Sequence, residues 1–147
     1  MGRDLGLLVL RLAGFYLAFG HGWAKIMGLG TGQSRFVEGV ADLGFPLPVL
    51  FAWAAALSEV FGGIAVGVGL FTRWAAAFAA ATMAVAAFLR HHALSRFLAW
   101  VGAVPASKEQ LEAWGNPELA VVYLLVLVAL ALLGPGRFSV DARFKRA

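Results

Sequence analysis

Cysteine is absent from all 147 residues. That excludes a disulfide framework, a Cys-x-x-Cys redox pair, cysteine-ligated zinc and iron–sulfur clusters, and it leaves the compartment open. Charge is nearly as scarce: 14% of the residues are charged and 8 are acidic, against 61% hydrophobic. A soluble domain is about 45–50% apolar and about 25% charged. A chain this short has too little polar surface to cover the excess, so its natural solvent is a lipid bilayer; the mean hydropathy is +0.82. The length suits one unit, residues 1–147, with no second soluble domain. The 12 lysines and arginines give a net charge of +4. Basic residues flanking membrane spans account for that balance, and no nucleic-acid partner is expected.

Four apolar runs approach the roughly 20 residues that cross a hydrocarbon core. They lie at about 5–27, 48–71, 74–92 and 117–133, and a basic tail follows over 134–147. The third run meets its first charge at Arg90 and spans only if Arg90 and the histidines after it sit at the interface. Backbone in lipid must satisfy its own hydrogen bonds, so these runs are helices. Pro46 and Pro48 open the second after a glycine-rich break. Between the first two spans, Phe36, Val37, Val40 and Leu43 recur at helical spacing against Arg35, Glu38 and Asp42, which predicts a short interfacial helix. In the third connection Ser107 precedes Gln110 at capping-box spacing, marking another helix start, and Trp100 and Trp114 suit interfacial anchors. The expected fold is all-α, an integral membrane four-helix bundle with short interfacial helices in the first and third connections. Arg11 interrupts the first run, which argues against a cleaved signal peptide. The tight "FTR" hairpin and the tail, with Arg137, Arg143, Lys145 and Arg146, point to cytoplasmic termini.

That topology gathers the ionisable groups. The non-cytoplasmic half holds His21 and Lys25, then Glu59, then Arg90, His91 and His92, then Glu118; Asp4 and Arg11 lie at the other end. Glu59 falls roughly 16 Å into its helix, near the midplane. A carboxyl at that depth must be protonated, paired or reached by water, and His21 and Lys25 are the expected partners. Arg11, Gly14, Ala18, His21, Gly22 and Lys25 share a stripe on the first span, as do Ala52, Ala56, Glu59, Gly63 and Gly67 on the second. Small residues on both stripes let the helices approach, and an outward cleft between the first two spans is expected. Two roles stay open for these groups: a ligand site, or a structural pair with interfacial caps.

Three segments carry a family resemblance. "RLAGFYLAFGHGWAKIMG" resembles the first span of DoxX-type membrane proteins. "EVFGGIAVGVGLFTRWAA" is similar to their second, and "ELAVVYLLVLVALALLGPGRFSVD" to their last, with its G-x-G-R-x-S-x-D ending. The resemblance implies a four-helix bundle of the bacterial inner membrane, associated with oxidoreductase systems such as quinone-linked thiosulfate oxidation and thiol or oxidative-stress complexes. The matching polar positions are Arg11, His21, Lys25, Glu59, the His91/His92 region and Glu118. Leu119 stands after Glu118 where an aromatic is more typical.

Two functions follow as expectations. One is the membrane subunit of a quinone-linked oxidoreductase system. Phe15, Trp23, Trp53 and Phe61 would wall a quinone, His21 and Lys25 would donate to it, and Glu59 would relay protons. Glu59 and His21 are the candidate catalytic residues. The ligand-binding candidates are Arg11, His21, Lys25, Glu59, Arg90, His91, His92 and Glu118. Quinone is the one cofactor expected, without metal, haem or iron–sulfur cluster. Electrons would come from a redox partner subunit or a small reductant, and a homo-oligomer is the other assembly considered. The alternative is a non-enzymatic membrane module that binds or transports a small molecule or lipid.

Overall fold

The longest apolar run, closed by glycines, forms one helix, α1 (Gly2–Gly30). It starts before and ends after the expected 5–27. The computed structural model describes residues 1–32 and 35–144; Lys145 and Arg146 of the basic tail lie outside the described residues. Helix α2 covers Arg35–Asp42, with Val40 buried on its apolar face. Pro48 opens α3 (Pro48–Val68), which ends where Gly69 turns the chain at φ +78°. Phe71, also left-handed at φ 45°, leads into α4 (Thr72–Arg90). The third connection holds two helices, α5 (Ala93–Trp100) and α6 (Lys108–Trp114). The Ser107 hydroxyl accepts from the Gln110 amide at 3.2 Å, and the Gln110 side chain accepts from the Ser107 amide at 2.9 Å. Helix α7 covers Glu118–Leu133 and a short α8 covers Val140–Phe144. Every regular element among the described residues is helical.

Three helices, α1, α3 and α4, are long and apolar enough to cross a membrane, and a fourth span exists if α6 and α7, bent by 46° at Gly115–Pro117, count as one. Helix α4 packs along α7. There Ala76, Ala79 and Ala80 leave room for Tyr123, Leu127 and Leu130.

Helices α1 and α3 meet through glycine. A Cβ on Gly14 would strike the Gly63 carbonyl, and one on Gly22 would lie 2.7 Å from a Val60 methyl and 2.9 Å from the Glu59 Cβ. The whole predicted α3 stripe is buried: Ala52, Ala56, Glu59, Gly63 and Gly67. The outward cleft expected between these helices is therefore closed, because glycine brings the two backbones too near to leave one. Gly63→Ala is expected to cost about 1–3 kcal/mol through overpacking, read as a lower thermal midpoint in detergent. An unchanged midpoint would contradict this close approach.

Three helices share a local irregularity. Leu17–Gly22 in α1, Ser58–Gly62 in α3 and Val85–Arg90 in α4 are π-helical. Each such turn takes in an extra residue and shifts the register after it, and π-turns recur at functional sites. Here they contain His21, Glu59 and Arg90.

At the other end the two termini meet. The buried Arg11 guanidinium donates to the carbonyls of Pro135, at 3.0 Å, and Phe138. The Arg137 amide donates to Asp4 at 3.0 Å. Asp141 accepts from the amides of Phe71 (2.7 Å) and Thr72 (2.9 Å) and from the Thr72 hydroxyl (2.9 Å), capping the first turn of α4.

Candidate functional site

Glu59 is placed by the π-turn of α3 with no solvent exposure. One carboxylate oxygen pairs with Lys25 Nζ, which reaches across from α1 with 28% of its side chain exposed. The ammonium also lies 4.8 Å from the centre of the Phe36 ring, within cation–π range. The other oxygen of Glu59 is buried and has no partner among the described residues. An orphaned acceptor costs about 1–3 kcal/mol, more when it is charged, so its position is informative.

Glu59 forms part of the wall of a cavity of about 630 Å³. The cavity lies on the far side of Glu59 from the closed α1–α3 contact, between α3 and α4 and under α2. Ala54, Ala55 and Ser58 line it from α3, Ala81, Thr82 and Ala86 from α4, and Phe36, Gly39 and Val40 from α2. The aromatic walls are Phe36, Phe45, Phe51 and Phe78. The expected walls lie elsewhere: Trp23 and Phe61 are turned outward, 52% and 64% exposed, and Phe15 packs on Gly67. Trp53 belongs to a second, separate hollow.

Basic residues predominate among the polar lining. Lys25, Arg35, Arg90 and His91 all line the cavity, against Glu59 as its single carboxylate among the described residues. His91 Nδ1 lies 2.9 Å from the Trp114 carbonyl. A carbonyl only accepts, so Nδ1 carries the proton and Nε2 is the free nitrogen.

The other candidates are placed differently. His21 does not line the cavity; its ring sits between Tyr16 and Tyr123, at 6.0 and 5.9 Å between centroids. The π-turn that holds it breaks the 3.6-residue stripe on which it shared a face with Lys25. His92, left-handed at φ 48°, stacks near Trp114 at 5.4 Å. Glu118 is exposed and bonded to Asn116, its amide donating to the Asn116 side-chain oxygen at 2.9 Å. Arg11 is held at the opposite end, as described above. Of the eight candidates, Lys25, Glu59, Arg90 and His91 come together and Arg11, His21, His92 and Glu118 do not.

Sequence reasoning missed three contributors. Arg35 was read as the polar face of α2, and Ser58 stood unremarked beside Glu59. Thr82 is a lone hydroxyl in an alanine run, and that contrast was its available signal.

Comparison with known proteins agrees with this architecture. The family model described as DoxX matches residues 6–92. Inner membrane protein YqjF of Escherichia coli (strain K12) is 33% identical over 139 residues, covering 95% of this chain and 92% of that protein. Inner membrane protein YphA of the same strain is 32% identical over 142 residues, covering 96% and 91%. "Putative oxidoreductase CatD" of Bacillus subtilis (strain 168) is 28% identical over 138 residues, covering 94% and 86%. No solved structure gives a significant match. With the model match spanning α1 to α4 and the relatives aligned over nearly the full length, the chain belongs to the DoxX family.

Proposed function

We propose that this chain is the membrane subunit of a quinone-linked oxidoreductase system, crossing the inner membrane as a four-helix bundle with both termini cytoplasmic. The observation that carries the reading is the buried Glu59 carboxylate. One oxygen is neutralised by Lys25, the other is buried without a partner among the described residues, and the residue lines a largely apolar cavity. The names of the relatives support the inner membrane, and that of CatD supports the oxidoreductase association.

The residues present fit a quinone. Phe36, Phe45, Phe51 and Phe78 provide apolar walls for a flat ring, and Lys25, Ser58 and Thr82 provide donors. A quinone bound there supplies two-electron, two-proton exchange. Lys25 holds its positive charge against Glu59 and offers further N–H groups to a ring oxygen. The free Glu59 oxygen accepts a hydrogen bond, or a proton, from a hydroxyl. His91 Nε2 is a second acceptor in the lining, and burial keeps water from the Glu59 carboxylate.

A second reading, a non-enzymatic module for a lipid or other anionic amphiphile, is favoured by one feature: four basic groups line a cavity with a single carboxylate among the described residues. Purification in mild detergent followed by solvent extraction and mass spectrometry separates the two. The redox reading expects a quinone in the wild-type extract, reduced about tenfold in Glu59→Gln, the equivalent of about 1.4 kcal/mol. A phospholipid retained without quinone would support the module instead.

A further inference from the structure

The cavity has a direction. Helices α3 and α4 pack together along Ser58–Val68, and at the top of that contact the Thr82 hydroxyl donates to the Ser58 hydroxyl at 3.3 Å. Beyond it the two helices part. Pro48–Leu57 turns its main contacts to α2 and to the last turns of α1, leaving a wedge lined by small residues, Ala54 and Ala55 on one side and Ala81 and Ala86 on the other. Ala54 and Ala81 are exposed at its outer edge, beside the exposed rings of Phe51 and Phe78. These positions lie within the two candidate membrane spans, so the opening faces acyl chains. Helix α2 lies over the wedge at its far end, with Phe36, Gly39 and Val40 turned into it.

We infer that the cavity is a lateral portal: its ligand is an amphiphile dissolved in the bilayer, which enters sideways between α3 and α4. Its head group carries a hydrogen-bond donor and its tail stays in the alanine-lined wedge. The donor follows from Glu59, a lining residue whose second oxygen, unpartnered among the described residues, can only accept. The tail follows from the wedge, where the described residues put no polar side chain outward of Ser58 and Thr82. The inference rests on the cavity being a ligand site, and it extends that reading by naming the route and the class of molecule.

The cysteine-free chain permits a clean test. Ala55→Cys, labelled with a nitroxide and reconstituted in phosphatidylcholine vesicles, is compared for collision with oxygen and with a water-soluble nickel chelate. Oxygen partitions into the apolar region, so its collision rate is expected to exceed that of the chelate by about fivefold. Adding Ala81→Trp, which fills the wedge from its exposed edge, is expected to cut the oxygen rate by more than half. A chelate rate equal to the oxygen rate means that the cavity opens to water, and it overturns the lateral route. An oxygen rate unchanged by Ala81→Trp overturns it as well, by placing the entry elsewhere. Oxygen dominance that Ala81→Trp suppresses, with no quinone recovered from the same chain, upholds the route and removes quinone as the occupant.

Discussion

Lys25→Met is expected to destabilise the protein by about 3–5 kcal/mol, the cost of leaving one member of a buried ion pair alone. Glu59 has no solvent exposure, so its carboxylate cannot recover hydration once the ammonium is gone. Lys25 is 28% exposed, which draws the figure toward the lower end of that range. The cost belongs to the unpaired charge and not to the missing contact, so Glu59→Gln added to Lys25→Met is expected to return most of it. Thermal or denaturant unfolding in detergent of the two single variants and the double variant checks this as a cycle. Additive losses would mean that the two side chains do not act as a pair.

Asp141→Ala is the second large effect, at the opposite end. Its carboxylate accepts three hydrogen bonds, from Phe71, from the Thr72 amide and from the Thr72 hydroxyl. In return its own amide donates to the Gly69 carbonyl at 2.8 Å. Losing a helix cap costs about 0.5–2 kcal/mol, and a bond to a charged group about 1.5–3. The buried Thr72 leaves its hydroxyl unsatisfied as well. A loss of about 2–4 kcal/mol is expected, with Asp141→Asn recovering part of it because an amide oxygen still accepts. Proteolysis is the second readout: α8 is expected to be cleaved faster in Asp141→Ala, since the segment after α7 then loses its three side-chain bonds to Phe71 and Thr72 and keeps the backbone bond to Gly69 with those of Arg11, Asp4 and Ser139. Full stability in Asp141→Ala would contradict the clamp.

The clamp gives a physical reason for the G-P-G-R-F-S-V-D segment. Gly69 leaves the space that the Arg11 guanidinium fills, and Gly136 turns at φ +74° beside Asp4 and Leu7. Ser139 donates to the Gly136 carbonyl at 2.7 Å and accepts from the Ala142 amide at 3.1 Å. Arg11, a ligand candidate by its place on the stripe, is held at this end of the molecule by its two terminal nitrogens, which donate to the Pro135 and Phe138 carbonyls.

Much of the helical framework was legible because lipid leaves a chain few choices. A run of apolar residues between Pro48 and Gly69 has to be a helix, and the small residues at Ala52, Ala56, Gly63 and Gly67 have to face a neighbour. Glu59, on that same stripe, was predicted to pair with Lys25, and it does. The cavity was not legible. Close glycine contacts between α1 and α3 look the same in a sequence whether they flank a cleft or abolish one, and only the backbone separation decides. His21 was misjudged for a different reason: a strict 3.6-residue period assigns it to the Lys25 stripe, and no residue type announces the π-turn that breaks that period. Arg35 and Thr82 reach the cavity through tertiary packing of α2 and α4, which hydropathy does not encode.

The central claim is that the Lys25–Glu59 pair serves a ligand and does not merely hold two helices together. The most direct measurement is the quinone content of the Lys25→Met/Glu59→Gln double variant, purified beside the wild type and matched for thermal midpoint. The account predicts a folded protein that has lost the quinone found in the wild type. A double variant that folds and retains the same quinone content would reduce the pair to a structural one and contradict the account.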